Sequence, residues 1–216
     1  MKTTQILPPH YYASGKFDLK NFKLLVLMNL AGLVLFVFSV WFFGWLTTQL
    51  RSEITGFFSF EFSSLSSLAT SFGKLIITII FVLSLHEAVH ALFFWIFSQQ
   101  KPVVGFKGFF AYASMPGWYF PRNQYLIIGI APLILITLVG VVCLAILPST
   151  LLNLVLVALV LNTSGAIGDL FVVIWLLTKP VETLALDQID TIEFFVPGKP
   201  QSNQENEAKS GNNNQH

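Results

Sequence analysis

Two histidines four residues apart, His86 and His90, lie inside a long apolar stretch, and Glu87 directly follows the first of them. Residues i and i+4 of a helix share one face, so the two imidazoles can bind one metal ion. Glu87 then lies beside the metal without having to bind it, and can take a proton from a water that the metal holds. Zinc suits this chemistry because it lowers the pKa of such a water to about 7. The motif predicts His86 and His90 as zinc ligands and Glu87 as the catalytic base.

A third ligand is needed, because catalytic zinc usually has three protein ligands and a water. Asp169 is the other ionisable side chain deep inside an apolar stretch, where a charge costs roughly 2.5–3.5 kcal/mol. It lies about nine residues from the end of its stretch and His90 about eight, so at ~1.5 Å per residue their depths match. We predict that Asp169 completes a zinc site. An interhelical hydrogen bond and a proton relay are the alternative roles.

Asn162 precedes Asp169 in a run of small and polar residues from Leu161 to Leu170. Small residues let helices approach closely, and Gly165 and Gly168 can loosen the helix so that Asp169 reaches the histidines. Asn162 is a candidate substrate-binding residue that hydrogen-bonds a peptide or the site itself. A plain interhelical hydrogen bond is the alternative.

The composition predicts an all-α membrane protein of about four transmembrane helices. The chain of 216 residues is 54% hydrophobic and only 11% charged, whereas soluble domains have about 25% charged residues. Its net charge of +1 argues against a nucleic-acid partner. Each apolar stretch reaches the ~20 residues that a membrane-spanning helix needs, and none alternates with the period of a strand. The stretches cover about 22–46, 75–97, 125–147 and 151–177.

The positions of lysine and arginine between these stretches indicate which side of the membrane each connection faces. Basic residues cluster before the first stretch, in the 98–124 loop and after the fourth, so the positive-inside rule puts both termini and that loop in the cytoplasm. The 49–73 connection is then external or partly re-entrant. The four parts of the chain are a cytoplasmic segment (1–21), a membrane-embedded metalloprotease-like domain (22–178), a juxtamembrane segment (179–199) and a disordered tail (200–216).

The composition of the 101–121 loop is typical of short β-strands. Val103 to Ala113 is rich in Val, Phe and Tyr, and Pro116-Gly117 predicts a turn. A short hairpin here would offer a strand edge that binds an unwound substrate by strand addition. An interfacial loop with aromatic anchors is the alternative. In the third stretch, Pro132 predicts a kink.

Taken together, the motif in a membrane span, the following span with its proline and the run from Asn162 to Asp169 resemble site-2-protease-like intramembrane zinc metalloproteases. They resemble more closely the small bacterial membrane proteins classed as zincin peptidases of unknown function. The likeness covers roughly 75–178 and implies His86, His90 and Asp169 as zinc ligands, Glu87 as general base and acid, and a bacterial cytoplasmic membrane. The prolines of the aspartate motif are missing here, and Leu170 replaces the glycine after the aspartate.

The function predicted from these features is a membrane-embedded zinc metalloendopeptidase. Its partners would be the bilayer and a protein or peptide substrate in or near the membrane. One alternative is a non-catalytic membrane scaffold with a vestigial or structural metal site, although such a site has no need of Glu87. Another is a metal transporter, for which four spans are few.

Overall fold

Five helices make up most of the described chain. The computed structural model describes residues 2–18, 20–53, 64–107, 110–189 and 191–198. The helices are α1 (Phe22–Leu50), α2 (Leu65–Ser98), α3 (Arg122–Ile146), α4 (Ser149–Gly165) and α5 (Ile167–Leu177). The strands are β1 (Tyr11–Asp18), β2 (Val103–Lys107), β3 (Phe110–Ser114), β4 (Tyr119–Pro121), β5 (Leu184–Asp187) and β6 (Thr191–Pro197).

Helices α1, α2 and α3 are each long and apolar enough to cross a membrane, and α4 with α5 makes a fourth span if the bent pair counts as one. The prediction of about four spans is therefore confirmed in its coarser form, a mostly helical chain with three to four candidate spans. Helix α2 begins ten residues before the predicted stretch, where the Ser64 side chain accepts a hydrogen bond from the backbone N–H of Ser67. Its 34 residues extend about 50 Å, more than the ~30 Å hydrocarbon core.

The fourth apolar stretch is two helices rather than one. Helix α4 ends at Gly165, and α5 leaves it at an angle of 42°. Ala166 joins them with a φ of −70° and a ψ of 5°. Asp169 therefore lies in the first turn of α5, where the helix dipole favours a negative charge.

A four-stranded antiparallel sheet in the order β1-β6-β5-β4 was not predicted, so the all-α assignment is wrong in this respect. It joins the segment before α1 to the segment after α5, with Tyr11 opposite Pro197 and Asp18 opposite Thr191. Strand formation depends on side-chain packing against partners more than on local preference. Here the partners of β1 are almost the whole chain away, which local patterns cannot show.

The predicted hairpin is confirmed. Strands β2 and β3 pair with Val103 opposite Ser114 and Gly105 opposite Tyr112. The predicted turn follows, with Gly117 at a φ of 79°, a left-handed conformation that glycine adopts at little cost. Of the 49–73 connection, residues 54–63 lie outside the described residues, as does the tail 200–216.

All six strands lie at one end of the helices. They flank the start of α1, the end of α2, the start of α3 and the end of α5. A buried cluster joins the sheet to these helix ends, and it includes Phe94, Phe120, Tyr125, Leu176 and Phe194. At the opposite end, the Arg51 guanidinium donates to the carbonyl of Leu147 at 2.8 Å. The described parts of the 1–21 segment, the 98–121 connection and the 179–199 segment thus share one end of the molecule.

Candidate metal centre

Three side chains from two helices meet at one point. Asp169 Oδ2 of α5 lies 3.0 Å from His86 Nε2 and 3.4 Å from His90 Nε2 of α2. One ligand atom from each residue lies within 4.8 Å of the other two, an arrangement that could hold a metal ion. Zinc with ligands at 2.0–2.1 Å in a tetrahedron puts neighbouring ligand atoms about 3.3 Å apart. The donor types and separations therefore fit a zinc ion with a coordination position left for water.

The first histidine is oriented by Asn162. His86 Nδ1 lies 3.0 Å from Asn162 Oδ1 in a buried contact. Because an amide oxygen can only accept, His86 carries a proton on Nδ1, which leaves Nε2 to face Asp169 and to bind a metal. A histidine that binds metal through one nitrogen usually donates the other N–H in this way. Asn162 thus acts on the site itself in this structure, and its substrate-binding role stays a prediction.

The second histidine is oriented by a backbone carbonyl of α3. His90 Nδ1 donates to the oxygen of Ile128 at 2.9 Å, which leaves the Nε2 lone pair free for a metal. A carbonyl inside a helix is normally occupied by the N–H four residues later. For Ile128 that residue is Pro132, which has no N–H. The proline therefore leaves free the acceptor that His90 uses.

Pro132 also helps to position the first histidine, through Asn162. Its own carbonyl accepts a hydrogen bond from Asn162 Nδ2 at 3.4 Å, which fixes the amide with its oxygen toward His86. The neighbouring Gly129 lets α3 approach α5, because a Cβ there would lie only 2.9 Å from a methyl group of Val173. The predicted kink residue therefore supports both histidines.

Glu87 lies in the same cavity as the three candidate ligands. The cavity has a volume of about 310 Å³ and is lined by all five helical site residues predicted from the sequence. These residues are His86, Glu87, His90, Asn162 and Asp169. The backbone N–H of Ala113 in β3 faces the Glu87 carboxylate. Glu87 thus shares one cavity with the residues that would hold a metal and its water.

The outer wall of the cavity contains groups that the sequence analysis missed. Ala111 and Ala113 of β3, Tyr125 of α3, and Asp187 and Ile189 of the β5–β6 turn all line it. Burial raises the pKa of Asp187, against the lowering effect of its hydrogen bonds. In sequence, this aspartate resembles any acidic residue of a polar segment that follows a membrane helix, so no local signal marks it.

Comparison with known proteins adds one match. A family model described as "Putative zincin peptidase" matches residues 79–184. The match supports a zincin-like peptidase. It spans α2 from residue 79 onward, the hairpin, α3, α4 and α5, and so contains every candidate ligand and Glu87. No curated protein and no solved structure matches the chain.

The family match and the geometry agree on the class of chemistry. Zincin peptidases are zinc-dependent, and the cluster of His86, His90 and Asp169 could bind a metal. The match therefore supports a zinc metallopeptidase, and the three to four apolar helices are consistent with a membrane protein.

Proposed function

We propose that this protein is a membrane-embedded zinc endopeptidase of the site-2-protease-like type. The observation that carries the proposal is the convergence of His86 Nε2, His90 Nε2 and Asp169 Oδ2 in a cavity that also contains Glu87. Both histidines donate their Nδ1 protons elsewhere, so both present a lone pair to the same point. A purely structural metal site would need neither the cavity nor the glutamate.

The chain's own residues divide the work of peptide hydrolysis between them. His86, His90 and Asp169 would hold the zinc, which supplies a lowered water pKa and polarisation of the substrate carbonyl. Glu87 accepts a proton from the attacking water and then delivers it to the leaving amine nitrogen. Asn162 and the Ile128 carbonyl keep the two imidazoles in the tautomer that binds metal.

Strand β3 is the best-placed element to bind an extended peptide. It pairs with β2 on one side, and among the described residues no strand pairs with its other side. Ala111 and Ala113 of β3 line the cavity. A substrate helix has to unwind before cleavage, because its carbonyls are hydrogen-bonded internally. Pairing with β3 would stabilise the unwound segment by backbone hydrogen bonds.

The proposal is tested by Glu87→Gln in detergent-purified protein, with fluorescein-labelled casein as an unfolded substrate. We expect the wild type to cleave casein, and Glu87→Gln to keep its zinc while cleaving at least about 10²-fold more slowly, because the general base is lost. Glu182→Gln is the matched control, since Glu182 is exposed and lies outside the cavity. Equal cleavage by Glu87→Gln and wild type would rule out the proposed role of Glu87.

A further inference from the structure

The Asp187 carboxylate connects three separate elements at the outer wall of the cavity. Oδ1 accepts hydrogen bonds from Ser114 Oγ of β3 at 2.5 Å and from the backbone N–H of Ile189 at 3.1 Å. Oδ2 accepts one from the Tyr125 hydroxyl of α3 at 2.8 Å. Asp187 is only 9% exposed, so these protein groups replace the water that a carboxylate normally requires.

We propose that Asp187 is a positioning residue for peptide binding, which fixes β3 and the β5–β6 turn as two walls of the cavity. This inference rests on the proposed peptidase function. It concerns the substrate side of the site, because the hydrogen bonds of Asp187 go to none of the three candidate metal ligands.

The first wall is β3. Ser114, which donates to Asp187, directly follows Ala113, whose backbone N–H faces the Glu87 carboxylate. The hairpin has only two strands, and an isolated two-stranded hairpin is at best marginally stable. The Ser114–Asp187 hydrogen bond ties its second strand to the larger sheet. Without that bond and the longer one from the Ile189 N–H to Ser114 Oγ at 3.3 Å, β3 would be held by β2 and by packing against α2.

The second wall is the β5–β6 turn. Ile189 lines the cavity with a φ of 64°, a left-handed conformation that is a rare outlier for a β-branched residue. Such strain persists only where the surroundings impose it, and it is frequent at functional sites. Asp187 accepts the N–H two residues later, in the manner of an Asx turn, and so stabilises this conformation. The side chain of Ile189 is thereby kept at the cavity.

A purely structural role is a weaker explanation of Asp187. Replacing a buried charge and its partners by apolar groups of similar volume is often neutral or stabilising. A carboxylate with three donors in set directions instead imposes one geometry on the elements that supply them. Those elements are the two walls and α3, whose carbonyl at Ile128 orients His90.

Two zinc-binding probes of different length distinguish a change in the cavity walls from a change at the metal site. Acetohydroxamate contacts little beyond the metal, whereas tri-alanine hydroxamate extends along the walls. Their dissociation constants are measured on zinc-loaded protein in detergent for wild type, Asp187→Ala, Asp187→Asn and Ser114→Ala. Ser39→Ala is the matched control for Ser114→Ala, because both serines are 1% exposed and Ser39 donates only within α1.

We expect Asp187→Ala and Ser114→Ala to raise the dissociation constant of tri-alanine hydroxamate about tenfold, which corresponds to the loss of about one net hydrogen bond. The dissociation constant of acetohydroxamate should change less than about twofold, which corresponds to a small part of the energy of one hydrogen bond. Asp187→Asn should restore tri-alanine hydroxamate binding, because its carbonyl still accepts from Ser114 and Ile189 and its amide can donate to Tyr125. Ser39→Ala should bind both probes as the wild type does.

Equal weakening of both probes, or no weakening of either in Ser114→Ala, would overturn the inference and leave the peptidase proposal intact. If Asp187→Ala fails to fold, Ser114→Ala and Asp187→Asn decide the matter. A wild type that binds neither probe when zinc is supplied would instead overturn the proposed function. The two failures are therefore distinguishable.

Discussion

At the scale of single residues, the candidate site depends on where two histidine protons lie. His86 donates Nδ1–H to Asn162, and His90 donates it to Ile128, so both Nε2 atoms face Asp169. Such partners fix the tautomer and ring orientation of a metal-binding histidine. The tautomers follow from the neighbouring oxygen acceptors, and the acceptors are set by the fold.

Removal of the Asn162 amide should weaken metal binding without removing a ligand. We expect Asn162→Ala to lower zinc affinity about 10–100-fold, the usual cost of losing such a partner. Competition with a chromophoric chelator measures this affinity. Asn29→Ala is the control, because Asn29 is exposed and donates only to Leu25 of its own helix. Unchanged affinity in Asn162→Ala would show that the His86 ring is held by other contacts.

The sequence predicted four ionisable residues of the site, His86, Glu87, His90 and Asp169, because charged and imidazole groups are costly in an apolar span. The structure brings those four residues together in one cavity. Ile128 could not be predicted in the same way, since it contributes only a backbone carbonyl and its side chain is ordinary for a membrane helix. The pairing of His90 with that carbonyl depends on how α2 packs on α3.

At the scale of elements, Pro132 links helix geometry to the metal site. A proline inside a helix is predictable as a kink, and it also leaves free the carbonyl four residues earlier. That carbonyl is Ile128, the acceptor of His90. The sequence identified the proline, but only the packing of the helices shows what uses the free carbonyl.

A residue with a backbone N–H at position 132 should therefore compete with His90 for the Ile128 carbonyl. We expect Pro132→Ala to lower zinc affinity about tenfold, comparable to the loss of a partner to a metal-binding histidine. The unfolding temperature of the metal-free protein should stay the same or rise, because proline inside a helix costs about 3 kcal/mol. Chelator competition and thermal unfolding measure the two effects.

Pro148→Ala is the control for this experiment, since Pro148 precedes the first turn of α4 at the far end of the helices. A drop in unfolding temperature together with the loss of zinc would mean that Pro132→Ala damages packing in general. That result would contradict the specific link between Pro132 and His90.

The break between α4 and α5 shows a limit of reading elements from sequence. Gly165 and Gly168 indicated a loosened helix, but the continuous apolar pattern gave no reason to divide it at Ala166. Beyond the bend of 42°, α5 packs against α3, where Gly129 permits close approach to Val173. This arrangement puts Asp169 beside both histidines.

At the scale of the whole molecule, the strands collect at one end of the helices and the cavity opens beneath them. The sheet could not be predicted, because β1 and β6 pair across nearly the full length of the chain. The spans could be predicted, because hydrophobic length is a local property. The common position of β1, the hairpin and β6 agrees with the basic residues found in and beside these strands.

The side of the membrane on which this end lies can be tested with single cysteines in a Cys143→Ser background. We expect a membrane-impermeant maleimide to label Thr150→Cys in intact cells, and Lys16→Cys and Lys101→Cys only after permeabilisation. The reason is the excess of lysine and arginine at the sheet end. All three positions are exposed and none lines the cavity, so labelling reports sidedness. The reverse labelling pattern would contradict the predicted orientation.

The most direct test of the central claim is the zinc content of the detergent-purified protein, measured by atomic emission beside His86→Ala and Asp169→Ala. We expect about one zinc per chain in the wild type, held by three protein ligands, and little or none in either variant. Zinc that is lost in His86→Ala but retained in Asp169→Ala would contradict Asp169 as a ligand. A wild type that binds no zinc, even when zinc is supplied, would contradict the metal centre and the peptidase proposal with it.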